Sequence, residues 1–526
     1  MTPLKLPIDL QSFEIIRREG FLYVDKTPYI HRMLEEGRYY FMARPRRFGK
    51  TLMVSTLRNL FAGNRELFKD LWIDQHDNWS WDAFPVVLLD FNAISHDTPK
   101  NFKAGLRDRL NRISDEFGIK PRSSLLTERF EELLLALYKK TGRPVVILID
   151  EYDKPIIDHL GRGAAAMKTA RANRDILKTF FGTLKGADVA SHTRFVFITG
   201  VSKFSRVSIF SDLNNLIDIT LDERYAAMLG YTEEELNRNF GWYLERMHER
   251  LNLSLSQLSN RLCAHYDGYR FSEAAIDVYN PFSILRALDI CKIENFWFET
   301  GTPTFLVNLL RERDYPLPEM ENMEVVKSIF SVYDLEHLSV EALLFQTGYL
   351  TIKDVTEDGD IWWLGYPNLE VKCAFLKHLL HSFTEGRPGS EQSRFVRLWG
   401  YLKSEDLDAF FETVNAIFAS IPYTLKGEPN EAWFHTLFYL MVSASGAHAQ
   451  SEVLTSQGRI DLVVQFPDKV WIMEFKCNQS AEAGLRQIHE RGYADRFREL
   501  NCKLLLLGIS FDSSQRRVSD WKLEVS

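Results

Sequence analysis

Phe41-Met-Ala-Arg-Pro-Arg-Arg-Phe-Gly-Lys-Thr51 decides how the first part of the chain is read. It leaves an apolar, strand-like run (Tyr39, Tyr40, Phe41, Met42), passes through a short loop and ends in Gly49-Lys50-Thr51. A helical pattern follows at once through Leu52, Val54, Leu57, Leu60 and Phe61. Strand, loop, Gly-Lys-Thr and helix in that order make a phosphate-binding loop. Backbone N–H groups and the helix N-terminus would cradle phosphate oxygens. Lys50 would reach the β and γ phosphates, and the Thr51 hydroxyl would hold Mg2+. The usual pattern G-x-x-x-x-G-K-[ST] has its first glycine where this chain has Arg44. The tripeptide alone therefore also suits an ordinary basic turn, and the strands downstream must decide.

They favour the phosphate loop. Pro85-Val-Val-Leu-Leu-Asp-Phe91 is a short apolar run of the kind that buried parallel strands show. Helical segments follow from Phe102 to Phe117 and from Leu125 to Tyr138. Pro144-Val-Val-Ile-Leu-Ile-Asp-Glu-Tyr-Asp153 then places two carboxylates at the C-terminal end of a buried strand. That edge is where open α/β sheets bind ligands. Asp150 there would hold Mg2+, and Glu151 would orient and polarise an attacking water. Arg194-Phe-Val-Phe-Ile-Thr-Gly-Val-Ser-Lys203 repeats the logic, with Thr199, Ser202 or Lys203 as a sensor of the γ-phosphate. Upstream, Tyr23, Asp25 and Lys26 either line a base pocket or belong to a strand edge and helix cap; residue type favours the cap. Strands alternating with helices make a doubly wound parallel sheet the economical fold for this part of the chain.

At 526 residues the chain is too long for one core, and two to four domains are expected. The composition, 45% hydrophobic and 26% charged, is that of a soluble globular protein. A net charge of −8 argues against a uniformly basic nucleic-acid coat, while leaving room for a local basic cleft. Five cysteines without paired spacing point to reduced thiols and a cytoplasmic setting. No signal-like N-terminus and no run of about eighteen apolar residues is present, so no membrane partner is expected.

From about residue 230 the pattern turns helical (Leu236 to Leu251, Leu255 to Tyr266). Leu343-Leu-Phe-Gln-Thr-Gly-Tyr-Leu-Thr-Ile352 reads as helix, glycine turn and strand, and a polar hairpin leads into Ile361-Trp-Trp-Leu-Gly-Tyr366, as in a winged-helix unit. Glu299 and Thr300 read as capping residues. Thr384-Glu-Gly-Arg-Pro-Gly-Ser-Glu391 is a Pro/Gly/Ser-rich break. The expected domains are therefore 1–230, 231–388 and 389–526.

The last of these carries a second constellation. Helices (Phe410 to Phe418, Glu431 to Val442) lead into Glu452-Val-Leu-Thr-Ser-Gln-Gly-Arg-Ile-Asp-Leu-Val-Val464, with a bend at Gly458-Arg459 before a strand begun by Asp461. Val470-Trp-Ile-Met-Glu-Phe-Lys-Cys477 comes next, and Lys503-Leu-Leu-Leu-Leu-Gly508 closes the core. Period two puts Glu474 and Lys476 on one strand face, and hairpin pairing brings Asp461 near it. Two carboxylates and a lysine can hold a divalent cation and stabilise a phosphoryl transition state. The alternative, a solvated salt-bridge face, fits poorly inside so apolar a strand. Glu431 is a further possible ligand and Gln487 a possible support.

Together, Tyr23-Val-Asp-Lys-Thr27, Arg44-Pro-Arg-Arg-Phe-Gly-Lys-Thr51, Ile149-Asp-Glu-Tyr-Asp153, Ile198-Thr-Gly-Val-Ser-Lys203, Tyr279-Asn-Pro281, Gly458-Arg-Ile-Asp461 and Glu474-Phe-Lys476 span nearly the whole chain. In these the sequence resembles bacterial AAA-ATPase-like proteins with a C-terminal PD-(D/E)XK nuclease-superfamily domain. The resemblance implies that the Arg44 form of the loop is typical of the group. Arg44, Arg46, Arg47 and Phe48 then join Gly49, Lys50, Thr51, Asp150 and Thr199 as expected ATP-binding residues. It maps the superfamily's Asp, Glu and Lys onto Asp461, Glu474 and Lys476, in a mixed sheet flanked by helices. Such ATPases are similar to the STAND and archaeal-type branch, whose winged-helix segment packs on the nucleotide. The expected fold is thus α/β throughout: a P-loop NTPase, a helical and winged-helix region, and a restriction-endonuclease-like domain. The expected activity is that of an ATP-regulated, Mg2+-dependent DNA nuclease, with glutamate catalysis at Glu151 and nuclease chemistry at Asp461, Glu474 and Lys476. The competing expectation is a nucleotide-dependent switch or scaffold whose C-terminal fold only binds DNA or a protein. A homo-oligomer or an unidentified protein partner suits either.

Overall fold

The computed structural model describes the chain apart from residues 1–2, 77–78, 204–208, 211–212, 214, 298–305, 307–309, 311–319, 332–338, 384–391, 422–429, 456 and 501. Glu299, Thr300 and the break at 384–391 lie outside the described residues. The chain divides into two compact units, Met1–Trp297 with Glu324–Trp363, and Phe298–Met323 with Leu364–Ser526. Among the described residues no helix is long and apolar enough to cross a membrane.

The first unit is built on five parallel strands in the order β2-β3-β4-β1-β5. They are β1 (Tyr39–Ala43), β2 (Val86–Asp90), β3 (Val145–Asp150), β4 (Thr193–Gly200) and β5 (Ile217–Asp218). β1 and β3 are buried along their whole length, as strands covered on both faces by crossover helices must be. Those helices include Lys50–Phe61, Pro99–Glu116, Leu126–Thr141 and Ala164–Gly182. Parallel register sets Ala43 beside Gly200 and Asp90 beside Asp150. One sheet edge therefore gathers the phosphate loop, both carboxylate-bearing tips and the β4 tip.

Three further helices share an apolar cluster with Leu6, Leu22 and Val24 of the N-terminal segment. Glu233–Leu251 and Leu255–Tyr266 each start with a complete capping box. Pro281–Ile290 starts with proline at its first turn, and the Asn280 carboxamide oxygen accepts from the N–H groups of Phe282 and Ser283. The Tyr-Asn-Pro motif is thus a helix cap that fixes where Phe282 points. The short strands β6 (Tyr269–Arg270) and β7 (Asp277–Val278) pair with each other.

The helix Val340–Thr347, a turn at Gly348 and the sheet β8-β10-β9 follow the helix, glycine turn and hairpin read from sequence. The strands are β8 (Met323–Val326), β9 (Thr351–Val355) and β10 (Ile361–Gly365). Gly348 has φ +87, and a Cβ there would stand 2.7 Å from Pro45 Cβ. Its glycine thus serves both a left-handed turn and a close approach to the phosphate loop.

The second unit holds a mixed sheet in simple order, β11 (His448–Thr455), β12 (Gly458–Gln465), β13 (Lys469–Cys477), β14 (Lys503–Asp512) and β15 (Arg517–Val525). Only β13 and β14 run parallel, joined by a crossover containing the helix Ala481–Glu490. Gly484 and Gly508 let that helix lie directly on the sheet; a Cβ on Gly508 would collide with Ala481 O. Two expectations from sequence are corrected by this sheet. Asp461 sits inside β12 instead of starting it, because Gly458 closes a hairpin with β11. The core also does not end at Gly508: β14 runs on and pairs with β15, an edge strand whose mostly exposed residues give a weak apolar signal.

Candidate functional site

The phosphate loop opens onto a cleft of about 410 Å3 lined by Arg46, Arg47, Gly49, Lys50, Thr51 and Glu151 among others. Lys50 Nζ donates to the carbonyls of Arg44 and Pro45, both at 3.2 Å, and lies 3.3 Å from Glu151 Oε1. The ammonium is thereby aimed across the loop before any phosphate arrives. Thr51 Oγ1 donates to Asp150 Oδ2 at 2.7 Å, joining the two residues expected at a Mg2+ ion. Asp150 Oδ1 is buried without a hydrogen-bond partner. Burial, then the neighbouring Glu151 charge, raise the Asp150 carboxyl to about 6. Glu151 itself is held in the left-handed region at φ 53, a conformation that costs about 1–3 kcal/mol in a non-glycine residue and clusters at working sites.

Three residues expected at the nucleotide are placed elsewhere. Arg44 is only 1% exposed. Its guanidinium donates to Thr220 O at 2.5 Å, Ala43 O at 3.1 Å and Tyr225 O at 3.2 Å, and stacks 4.3 Å from the Phe271 ring. Burial lowers it to about 9. Phe48 packs edge-on against Tyr269 and Phe271. Thr199 is fully buried and donates to Met42 O at 2.9 Å, inside the sheet. Ser202 and Lys203 are likewise committed: the Ser202 hydroxyl donates to Asp153 at 2.6 Å and Lys203 pairs with Asp218 at 2.8 Å.

Sequence reasoning missed other residues that line the cleft. Asn92 follows the β2 tip, while Lys154 and Asp158 follow β3. Asp158 bridges Lys154 at 3.1 Å and His96 at 3.0 Å; despite its burial these partners hold it at about 2. The signal was available, since Asp90-Phe-Asn92 ends a strand at the same sheet edge. Arg47 lies 3.5 Å over the Phe282 ring and 3.8 Å from Asp9. A smaller apolar cavity of about 60 Å3 behind Gly49 is lined by Tyr23, Lys26, Phe48 and Tyr231. Asp25 takes no part: it accepts from the N–H and hydroxyl of Thr27 and from Trp72 N–H. Lys26 is bound to Glu235 at 2.6 Å.

In the second unit the β12–β13 pairing ends with Leu462 opposite Met473, and beyond it Asp461 stands near enough to Glu474 for its charge to act on that carboxyl. Asp461 Oδ2 accepts from Phe475 N–H at 2.7 Å. Lys476 Nζ lies 3.3 Å from Glu474 Oε1 and donates to Phe475 O at 2.8 Å. Gln487, on the helix seated by the two glycines, donates to Glu474 Oε1. Glu474 is 1% exposed and its Oε2 is buried without a partner. Burial and the facing Asp461 push the Glu474 carboxyl up to about 8, and burial raises Asp461 to about 6. Glu431, exposed at the rim, accepts from Cys477 N–H at 3.1 Å.

Residues 7–210 match the model of a predicted AAA-ATPase family, and residues 429–521 match that of the PD-(D/E)XK nuclease superfamily. Over its full length the chain is 37% identical to a protein of Azotobacter chroococcum mcd 1 called "Uncharacterized protein in vnfD 5'region", covering 100% of this chain and 99% of that one. The chain belongs to the AAA-ATPase-like family with a C-terminal PD-(D/E)XK domain. In this AAA-ATPase-like protein the first match contains the whole phosphate-loop edge, and the second contains Asp461, Glu474, Lys476 and Gln487.

The donor sets fit hard divalent cations. Each site buries a carboxylate oxygen that no group among the described residues satisfies, Asp150 Oδ1 in one and Glu474 Oε2 in the other. Among the described residues no three His, Cys, Asp or Glu side chains converge as a ready metal cage.

Proposed function

We propose that this protein binds ATP with Mg2+ in the N-terminal cleft, hydrolyses it, and thereby controls a Mg2+-dependent DNA nuclease in its C-terminal domain. The observation that carries the reading is the buried Asp461–Glu474–Lys476 group with an unsatisfied carboxylate oxygen. Leaving a charged group so buried costs several kcal/mol unless a cation or proton compensates it.

In the cleft, Lys50 exchanges its contacts with loop carbonyls for the β and γ phosphates. Glu151 stands 3.3 Å from that ammonium and orients the attacking water. Asp150 and Thr51 hold the cation. In the nuclease site, Asp461 and Glu474 hold the cation and Lys476 donates to a phosphoryl oxygen of the scissile group. A bound cation supplies charge against the negative charge that develops on the phosphoryl oxygens. Among the described residues Lys476 has two partners for its three N–H donors. DNA processing or defence against foreign DNA is the setting that suits an ATP-controlled nuclease.

Substitution tests the two halves separately. Lys50→Ala should weaken binding of a fluorescent ATP analogue about 10- to 100-fold, the worth of a charge-assisted contact. Glu151→Gln should bind ATP yet hydrolyse it on the order of a hundredfold more slowly. Unchanged affinity in the first variant would remove Lys50 from phosphate binding, and unchanged turnover in the second would remove Glu151 from catalysis.

A further inference from the structure

Gln487 meets Glu474, and Arg491 follows four residues later with helical backbone angles at the C-cap. The two side chains leave the same helix face about one turn apart, roughly 6 Å along the axis. Arg491 Nη1 donates to Gln457 O at 2.9 Å. The chain then turns at Gly492, and Arg496 donates to Leu454 O. The two guanidiniums flank the end of the β11–β12 hairpin and line an open groove of about 390 Å3 with Thr455 and Gln457. Asp461 lies three steps along β12 from Gly458, about 10 Å of strand. The groove therefore lies at the hairpin end of the strand that carries Asp461, beside the carboxylate–lysine site.

Its charge is not consumed internally. Each guanidinium commits one N–H to a carbonyl out of five donors. Among the described residues neither Arg491 nor Arg496 pairs with a carboxylate; Asp495, which also reaches the groove, is held by Arg498 at 3.0 Å. A cation at a helix C-terminus is ordinary dipole compensation. That covers Arg491 but not Arg496, which lies beyond the helix. In a chain of net charge −8, a polyanion can approach this end only where local cations stand free.

We propose that this groove seats the phosphodiester backbone of the DNA strand whose scissile phosphate lies at Asp461, Glu474 and Lys476. The proposal rests on the nuclease reading above. The groove takes a phosphate of the same strand a short way along the backbone from the scissile one, its charge met by the two guanidiniums. Arginine contacts to phosphate fix register without reading bases, so this groove adds grip and no sequence preference.

The test uses the full-length protein and fluorescein-labelled single-stranded and duplex DNA. Affinity is followed by anisotropy in Ca2+ at several salt concentrations, and cleavage in Mg2+ alongside. Replacing both arginines by alanine should weaken binding tenfold or more and make the plot of log affinity against log salt shallower by about 1 to 2. Arg491→Gln with Arg496→Gln keeps an N–H for each hairpin carbonyl, so the fold is preserved while the phosphate charge is lost; it should weaken binding equally. Arg491→Lys with Arg496→Lys should stay within about threefold of the parent. If the parent cuts DNA and the glutamine variant matches it in affinity and salt slope, the groove is not a phosphate track although the nuclease reading stands. A parent that binds and cuts no DNA overturns the nuclease reading and this proposal with it.

Discussion

Arg44 occupies the position where a phosphate loop usually has glycine, and the structure gives it a reason to be arginine. Its guanidinium bonds to three carbonyls and stacks on Phe271, tying the loop to the chain after β5. Restoring the usual glycine should therefore harm the protein: Arg44→Gly leaves buried carbonyls unpaired and should cost about 3–5 kcal/mol, read as a fall in melting temperature. An unchanged melting temperature would show that the loop holds itself. None of this was legible in sequence, because the partners Thr220 and Tyr225 lie 176 and 181 residues away. Asp461, Glu474 and Lys476 were legible, since period two and a hairpin suffice to bring them together. Glu474 also yields a pH prediction. Its folded carboxyl is near 8 against an ordinary 4.5, so between those values the folded state holds more protons than the unfolded one. Metal-free stability must then fall as pH rises through that window. Glu474→Gln should flatten the fall between pH 5 and pH 8.5 relative to the parent. Parallel melting curves across that range would contradict the assignment, whereas metal affinity, which needs the carboxylate, should rise over the same window.

At the scale of elements, glycines decide how closely helices and turns approach the chemistry. Gly508 admits the helix that carries Gln487 to Glu474. Gly508→Ala should lift that helix, cost about 1–3 kcal/mol by overpacking, and lower DNA cleavage more than the stability loss explains. Cleavage that merely tracks the folded fraction would make Gln487 dispensable. The turn at Gly348 plays the equivalent part behind the phosphate loop, where Gln346 Oε1 also accepts from Lys203 N–H at 2.8 Å. Long buried strands announced themselves by apolar runs, Val145–Ile149 in β3 and Leu504–Leu507 in β14. β15 and the split between β11 and β12 did not. An edge strand with one wet face and a hairpin turned by Gly458 carry little hydrophobic pattern of their own.

For the whole molecule, two candidate sites sit on two units of one chain, each at a sheet position built from strand tips or paired strands. In the proposed function, ATP handling in the first governs phosphodiester cleavage in the second. The direct measurement is cleavage of plasmid and linear DNA by the full-length protein in Mg2+ or Mn2+, with and without ATP, beside Lys50→Ala and Lys476→Ala. Metal-dependent cutting should respond to ATP in the parent and lose that response in Lys50→Ala. It should vanish in Lys476→Ala while calorimetry still shows metal binding, because the lysine offsets charge and does not ligate. A parent that cuts no DNA under any metal and nucleotide condition would overturn the ATP-controlled nuclease and leave the nucleotide-dependent switch in its place; a Lys476→Ala variant that cuts as fast as the parent would place the cleavage outside this site.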